Sequence, residues 1–128
     1  MGDQINLSGH FQGTNLNIKS SLQQVTQTIA QLPTATKAEQ ASLSSLLEQL
    51  NDALQQLPKD RAEEAEAIAQ MAAQLLTNAN QVKPNKTMLD ITGKGLKEAA
   101  KAIVGIVPSA LEVVTLMVKA VANITASP

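Results

Sequence analysis

Apolar side chains recur along this chain in two rhythms, and the change between them marks its first boundary. Within residues 3–18, Ile5, Leu7 and Phe11 fall on one parity, and Gln4, Asn6, Ser8, His10 and Gln12 fall on the other. Period two is the pattern of a strand with one buried face. Gly13 breaks it, and Leu16 and Ile18 resume on the opposite parity. A bulge or tight turn at 13–15 would produce that switch. The expectation is a short β-hairpin or strand segment over residues 1–18. An isolated hairpin is marginal in water. It therefore needs the helices, or the same segment of another copy, to hold it.

From Ile18 the rhythm becomes helical. Ile18, Leu22, Val25, Ile29 and Leu32 alternate steps of four and three, and Pro33 follows. The same spacing returns at Leu43, Leu47, Leu50, Leu54 and Leu57, again closed by a proline, Pro58. This stripe is preceded by Thr36-Lys37-Ala38-Glu39, the sequence of a capping box. A third stripe, Ala65, Ile68, Ala72, Leu75 and Ala79, is made mostly of small residues. It would let a neighbouring helix come close. Asp60-Arg61-Ala62-Glu63 is placed to cap it. Residues 80–86 read as a linker. Met88, Leu89, Leu96, Ala99, Ala100, Ile103 and Val104 then give a wide apolar face, weakened by Gly93 and Gly95. Pro108 ends that element, and Ser109-Ala110-Leu111-Glu112 offers a second capping box. The expected helices span about 19–32, 37–57, 61–79, 87–107 and 109–123. The fold class is mainly α: an antiparallel bundle of about five helices at 19–128, behind the N-terminal strand segment.

The last helix carries only Glu112, Thr115 and Lys119 on a narrow polar stripe, so it is expected to be buried on most sides. Residues 103–124 approach the length of a membrane span. Pro108, Glu112 and Lys119 interrupt that stretch, and a charge at mid-span costs about 3 kcal/mol. A bundle helix or oligomer interface is favoured over a membrane-active helix, and a transmembrane anchor comes last.

Composition narrows the functional classes. The 128 residues suit one domain, and 44% apolar content argues against disorder. Phe11 is the single aromatic residue, so the core must be aliphatic and no platform exists for stacking bases. Cysteine is absent, which removes disulfides and thiolate metal sites and suits a cytoplasmic setting. The opening residues lack the basic and apolar regions of a secretory signal. Net charge is −1, which favours neither nucleic acid nor anionic membrane. The charge is uneven, however. Residues 39–66 hold seven acids against Lys59 and Arg61, and residues 83–119 hold six lysines against Asp90, Glu98 and Glu112. Such faces attract one another within a bundle or between chains.

Catalytic chemistry finds little to work with. His10 is the lone histidine and has no metal-ligand spacing around it. Glu63, Glu64 and Glu66 sit where acids complement a helix N-terminus. A metal-binding bundle would need Glu-x-x-His sets on several helices. Thr92-Gly93-Lys94-Gly95 lacks the upstream glycine, the following Ser or Thr and the preceding strand of a phosphate loop. Lys94, Lys97 and Lys101 share one helix face and read as a solvated or partner-facing surface. No catalytic, cofactor or metal residue is assigned, and an enzyme is not expected.

The run KPNKTMLDITGKGLKEAAKAI, preceded by QQLPKDRAEEAEAIA, resembles segments of uncharacterised cyanobacterial-type small helical accessory domains. These occur alone or beside pentapeptide-repeat and signalling or conflict-system effector modules. The opening GDQINLSGHFQGTNLNIKSSL resembles the Gly/Asn-punctuated leader that precedes them. The resemblance covers about three-quarters of the chain and brings no catalytic residues. It implies a cytoplasmic assembly or adaptor role near stress or defence signalling.

The expected function is therefore non-enzymatic self-assembly or protein interaction. The partner is a second copy or a larger signalling or effector protein. Assembly residues would be Ile5, Leu7 and Phe11 in the strand segment, and Leu43, Leu47, Leu50 and Leu54 on the second helix. Leu111, Val114, Val118 and Val121 on the last helix complete the set. A membrane-perturbing effector using the C-terminal helices is one alternative. Amyloid-like stacking of residues 3–18, which hold no proline, is another.

Overall fold

The computed structural model describes residues 16–32, 35–81 and 83–125. Five α-helices make up almost all of them: α1 (Leu16–Gln31), α2 (Lys37–Gln55), α3 (Ala62–Ala79), α4 (Lys86–Lys101) and α5 (Pro108–Thr125). No strand occurs among the described residues. Residues 1–15, with Ile5, Leu7, Phe11 and most of the expected hairpin, lie outside them.

The strand expectation fails where it can be checked. Leu16 and Ile18, read as a second strand, belong to the opening turns of α1. Ile18 is the first member of the four-three spacing and packs against the core. That long-range contact extends the helix three residues earlier than expected.

Local chemistry sets most other boundaries. The box at α2 forms as read: Glu39 N–H donates to Thr36 Oγ1 at 3.1 Å, and Thr36 N–H donates to Glu39 Oε1 at 2.8 Å. The expected cap of α3 does not form. Lys59–Arg61 makes a 3-10 turn instead, and Arg61 precedes α3 without a side-chain cap. At α4, Asn85 takes the capping role, its Oδ1 accepting from Met88 N–H at 3.1 Å. That helix ends at Lys101 rather than near 107, and the chain turns through 102–106. There Ile103, Val104 and Ile106 N–H groups donate to carbonyls three residues back. Gly105 is a weak helix former, and Pro108 disfavours helical backbone at Val107. Pro108 itself opens α5, a position suited to its fixed φ and missing N–H. Ser109 is therefore inside the helix, and the second capping box is not an N-terminus.

The helices close into a ring. α1 packs on α2 and α3, α3 on α4, α4 on α5, and α5 on α2, with a lighter contact between α3 and α5. The ring order is thus α1, α3, α4, α5, α2. In a simple up-and-down bundle, α2 and α3 would be neighbours; here α2 packs chiefly against α1 and α5. The small residues of α3 explain its placement. Ala65, Ala69, Ala72, Ala73 and Ala79 are all buried, and α1 and α4 make their most extensive contacts with this helix. Ile68, Leu75 and Leu76 of the same helix are buried with them. Burying one Leu side chain contributes about 1.5–3 kcal/mol, so these stripes dominate the stability.

Candidate functional site

The residues expected to drive assembly land mostly inside the ring. Leu43, Leu47, Leu50 and Leu54 are buried, as are Val114 and Val121. Leu111 and Val118 are half-buried and pack against the same core. The four-three stripe of α2 is therefore satisfied within one chain. It is not free to form a coiled coil with another copy while the fold is intact.

The unsatisfied apolar surface lies elsewhere. The exposed large hydrophobic residues among those described are Met88, Ile91, Val104, Ile106 and Leu116, all in the C-terminal third. Ile91 is 58% exposed and Leu116 is 50% exposed. Met88 and Ile91 are three apart on α4 and so neighbours on its outer surface. The sequence carried a signal for Ile91: it falls off the spacing that joins Leu89, Leu96, Ala100 and Ile103. Leu116 was less legible, because α5 is apolar on nearly every side. That helix is also less enclosed than expected. Leu116 and Ala122 face outward along with Glu112, Thr115 and Lys119, since α5 sits in the wall of the ring.

Grooves lie on both sides of α5. The α4–α5 groove has a volume of about 320 Å³. Its floor is apolar, with Leu75, Leu89, Val118 and Val121. Lys86, Asp90, Lys94 and Lys97 form its rim along α4. Lys94 Nζ pairs with Asp90 Oδ2 at 3.2 Å. Lys86 and Lys97 pair with no carboxylate among the described residues. Beside this groove, Gly93 brings α4 against α5: a Cβ there would lie 3.0 Å from Val118 Cγ1. The second groove, between α2 and α5, is shallower, with Leu46 and Leu116 set among Ser42, Ser45, Gln49 and Lys119.

Polar groups elsewhere serve the fold. Thr92 is buried; its Oγ1 donates to Met88 O at 2.6 Å and accepts from Asn78 Nδ2 at 3.1 Å, tying α4 to α3. Thr92-Gly93-Lys94-Gly95 lies within α4, where its backbone makes helix and not a phosphate cradle. Glu63 and Glu64 sit in the first turn of α3, and Arg61 Nη1 donates to Glu64 Oε2 at 2.7 Å. That bond holds the Glu64 carboxyl below its ordinary range and raises the Arg61 guanidinium. No cluster of three or more potential metal ligands occurs among the described residues. No helix among them is long and apolar enough to cross a membrane. His10 lies outside the described residues.

Comparison with known proteins returned no matching family model, no matching curated protein and no matching solved structure.

Proposed function

We propose that this chain is a non-enzymatic interaction module that assembles with copies of itself, acting as a scaffold or adaptor. The observation that carries this reading is that, among the described residues, the exposed large apolar side chains all fall within residues 88–116. Most other large apolar side chains among the described residues are buried in the ring or packed against its core. Side chains such as Ile91 and Leu116 gain about 25 cal/mol per Å² when a partner removes them from water. Met88 and Ile91 are neighbours on α4, and grouped exposed apolar side chains are the kind of surface that interaction sites use. The acidic run at 39–66 and the lysines at 83–119 add opposite charges that can orient two copies. A role beside a larger signalling or effector protein, in bacterial stress or defence, follows from the resemblance of residues 83–103 to accessory domains.

Light scattering tests this reading. The full chain should show a mass that is a multiple of 13.5 kDa. Ile91→Lys or Leu116→Lys should reduce it to one copy, and the variant that does so locates the interface. A full chain that stays at the mass of one copy at every concentration contradicts self-assembly.

A further inference from the structure

We propose that the α4–α5 groove is a binding site for a single-chain anionic amphiphile, of the class of a medium-chain fatty carboxylate. Three features point to that chemistry. First, the floor is made of core side chains: Leu75, Leu89 and Val121 are all buried, so the groove reaches down to the interior between α4 and α5. An occupant there meets aliphatic surface and no aromatic ring, which suits a flexible alkyl chain over a planar ligand. Second, the volume of about 320 Å³ stands at the small end of the roughly 300–1,000 Å³ typical of ligand pockets. It accommodates one chain, not a two-chain lipid. Third, the rim is cationic. Asp90 is neutralised by Lys94 at 3.2 Å, which leaves Lys86 and Lys97 to face an anion.

Lys86 and Lys97 stand about 16 Å apart along the helix, at 1.5 Å per residue. A carboxylate can therefore be met at either end of the groove while the alkyl chain lies along the floor. Lysine stems cover apolar surface and keep their ammonium groups in water, so they also shield the bound chain. Gly93 matters to the shape. It allows α4 to rest against Val118, which is part of the apolar floor. This site does not depend on the self-assembly reading, because Ile91 and Leu116 do not line it.

Calorimetric titration of the full chain with laurate, kept below its micelle-forming concentration, tests the proposal. Saturable binding to one site is expected. Lauryl alcohol, which lacks the charge, should bind at least about tenfold more weakly, as should laurate to Lys86→Glu/Lys97→Glu. Ala122→Phe, which plugs the groove from an exposed position, should abolish binding while the helical circular dichroism is retained. Methyl resonances of Leu89, Val118 and Val121 should shift on titration, which a merely surface-bound detergent would not cause. Absence of saturable laurate binding overturns the proposal. So does equal binding by the plugged variant. Binding to vesicles of anionic phospholipid without binding to monomeric laurate also overturns it, since it would assign the lysines to a membrane surface.

Discussion

Three glycines of the C-terminal half sit in three different environments, and each environment dictates what a methyl group would do there. Gly95 is inside α4, and a Cβ would make only ordinary contact with Met71 Sδ at 4.0 Å. Gly95→Ala should therefore stabilise the protein by about 0.5–1 kcal/mol, the cost of glycine in a helix interior. Gly105 lies in the turn after α4 with nothing within 4 Å of a Cβ and no positive φ. Gly105→Ala should add about 0.4–1 kcal/mol by restricting the unfolded chain. Gly93 differs, because its Cβ would press on Val118 at 3.0 Å. Gly93→Ala should gain less than Gly95→Ala, and Val118→Ala in the same chain should restore part of the difference. Urea denaturation of the variants measures all three. Electrostatics at this scale is modest. Glu64 is held below its ordinary pKa by Arg61, so its contribution is present above the unfolded value and fades as pH falls through the lowered folded value. The pair is partly exposed and solvent screens it. Arg61→Ala should move the Glu64 carboxyl titration upward, as followed by NMR.

Capping and packing decide the elements. The reciprocal box at Thr36 and Glu39 satisfies two backbone donors at the start of α2. Thr36→Ala should cost about 1 kcal/mol, read from thermal or urea unfolding. The alanine face of α3 is sensitive in the opposite direction. Ala72 is fully buried in the core, so Ala72→Leu should destabilise by about 1–3 kcal/mol through overpacking. Leu47→Ala on α2 should cost about 2–5 kcal/mol through the cavity it leaves. The helices themselves were legible in the sequence because their four-three stripes and prolines are local signals. Their starts were less so. Asp60-Arg61-Ala62-Glu63 has the composition of a cap, but Pro58 lets the chain enter α3 through a 3-10 turn. Ser109 has the right neighbours for a capping box, but Pro108 already occupies the first helical position. Leu16 and Ile18 alternate as a strand would, yet both lie in α1, where Ile18 packs against the distant core.

At the scale of the molecule, the ring order was not legible. The stripes say that each helix has an apolar face, and they do not say which face meets which. Small residues on α3 hinted at close approach, and that hint proved to mark the helix that takes α1 and α4 together. The candidate site was legible only in part. Leu43, Leu47, Leu50 and Leu54 look identical in sequence whether they close a bundle or join two chains, and the ring uses them internally. Exposure at Ile91 and Leu116, and the lysine-rimmed groove, depend on how α4 and α5 sit in the wall. These outward side chains are what the self-assembly reading rests on. Removing residues 1–15 leaves all five helices intact in sequence. That shortened chain therefore separates assembly through the N-terminal strand pattern from assembly through the exposed apolar side chains of residues 88–116.

The most direct test is the mass in solution, measured by light scattering across a range of concentrations. It should be made on the full chain, the chain lacking residues 1–15, Ile91→Lys and Leu116→Lys. Self-assembly through the exposed side chains of α4 and α5 gives a defined oligomer of 13.5 kDa units for the full and shortened chains, and a single unit for at least one lysine variant. A single 13.5 kDa unit for the full chain at all concentrations would contradict it. So would an oligomer that both lysine variants retain and the shortened chain loses.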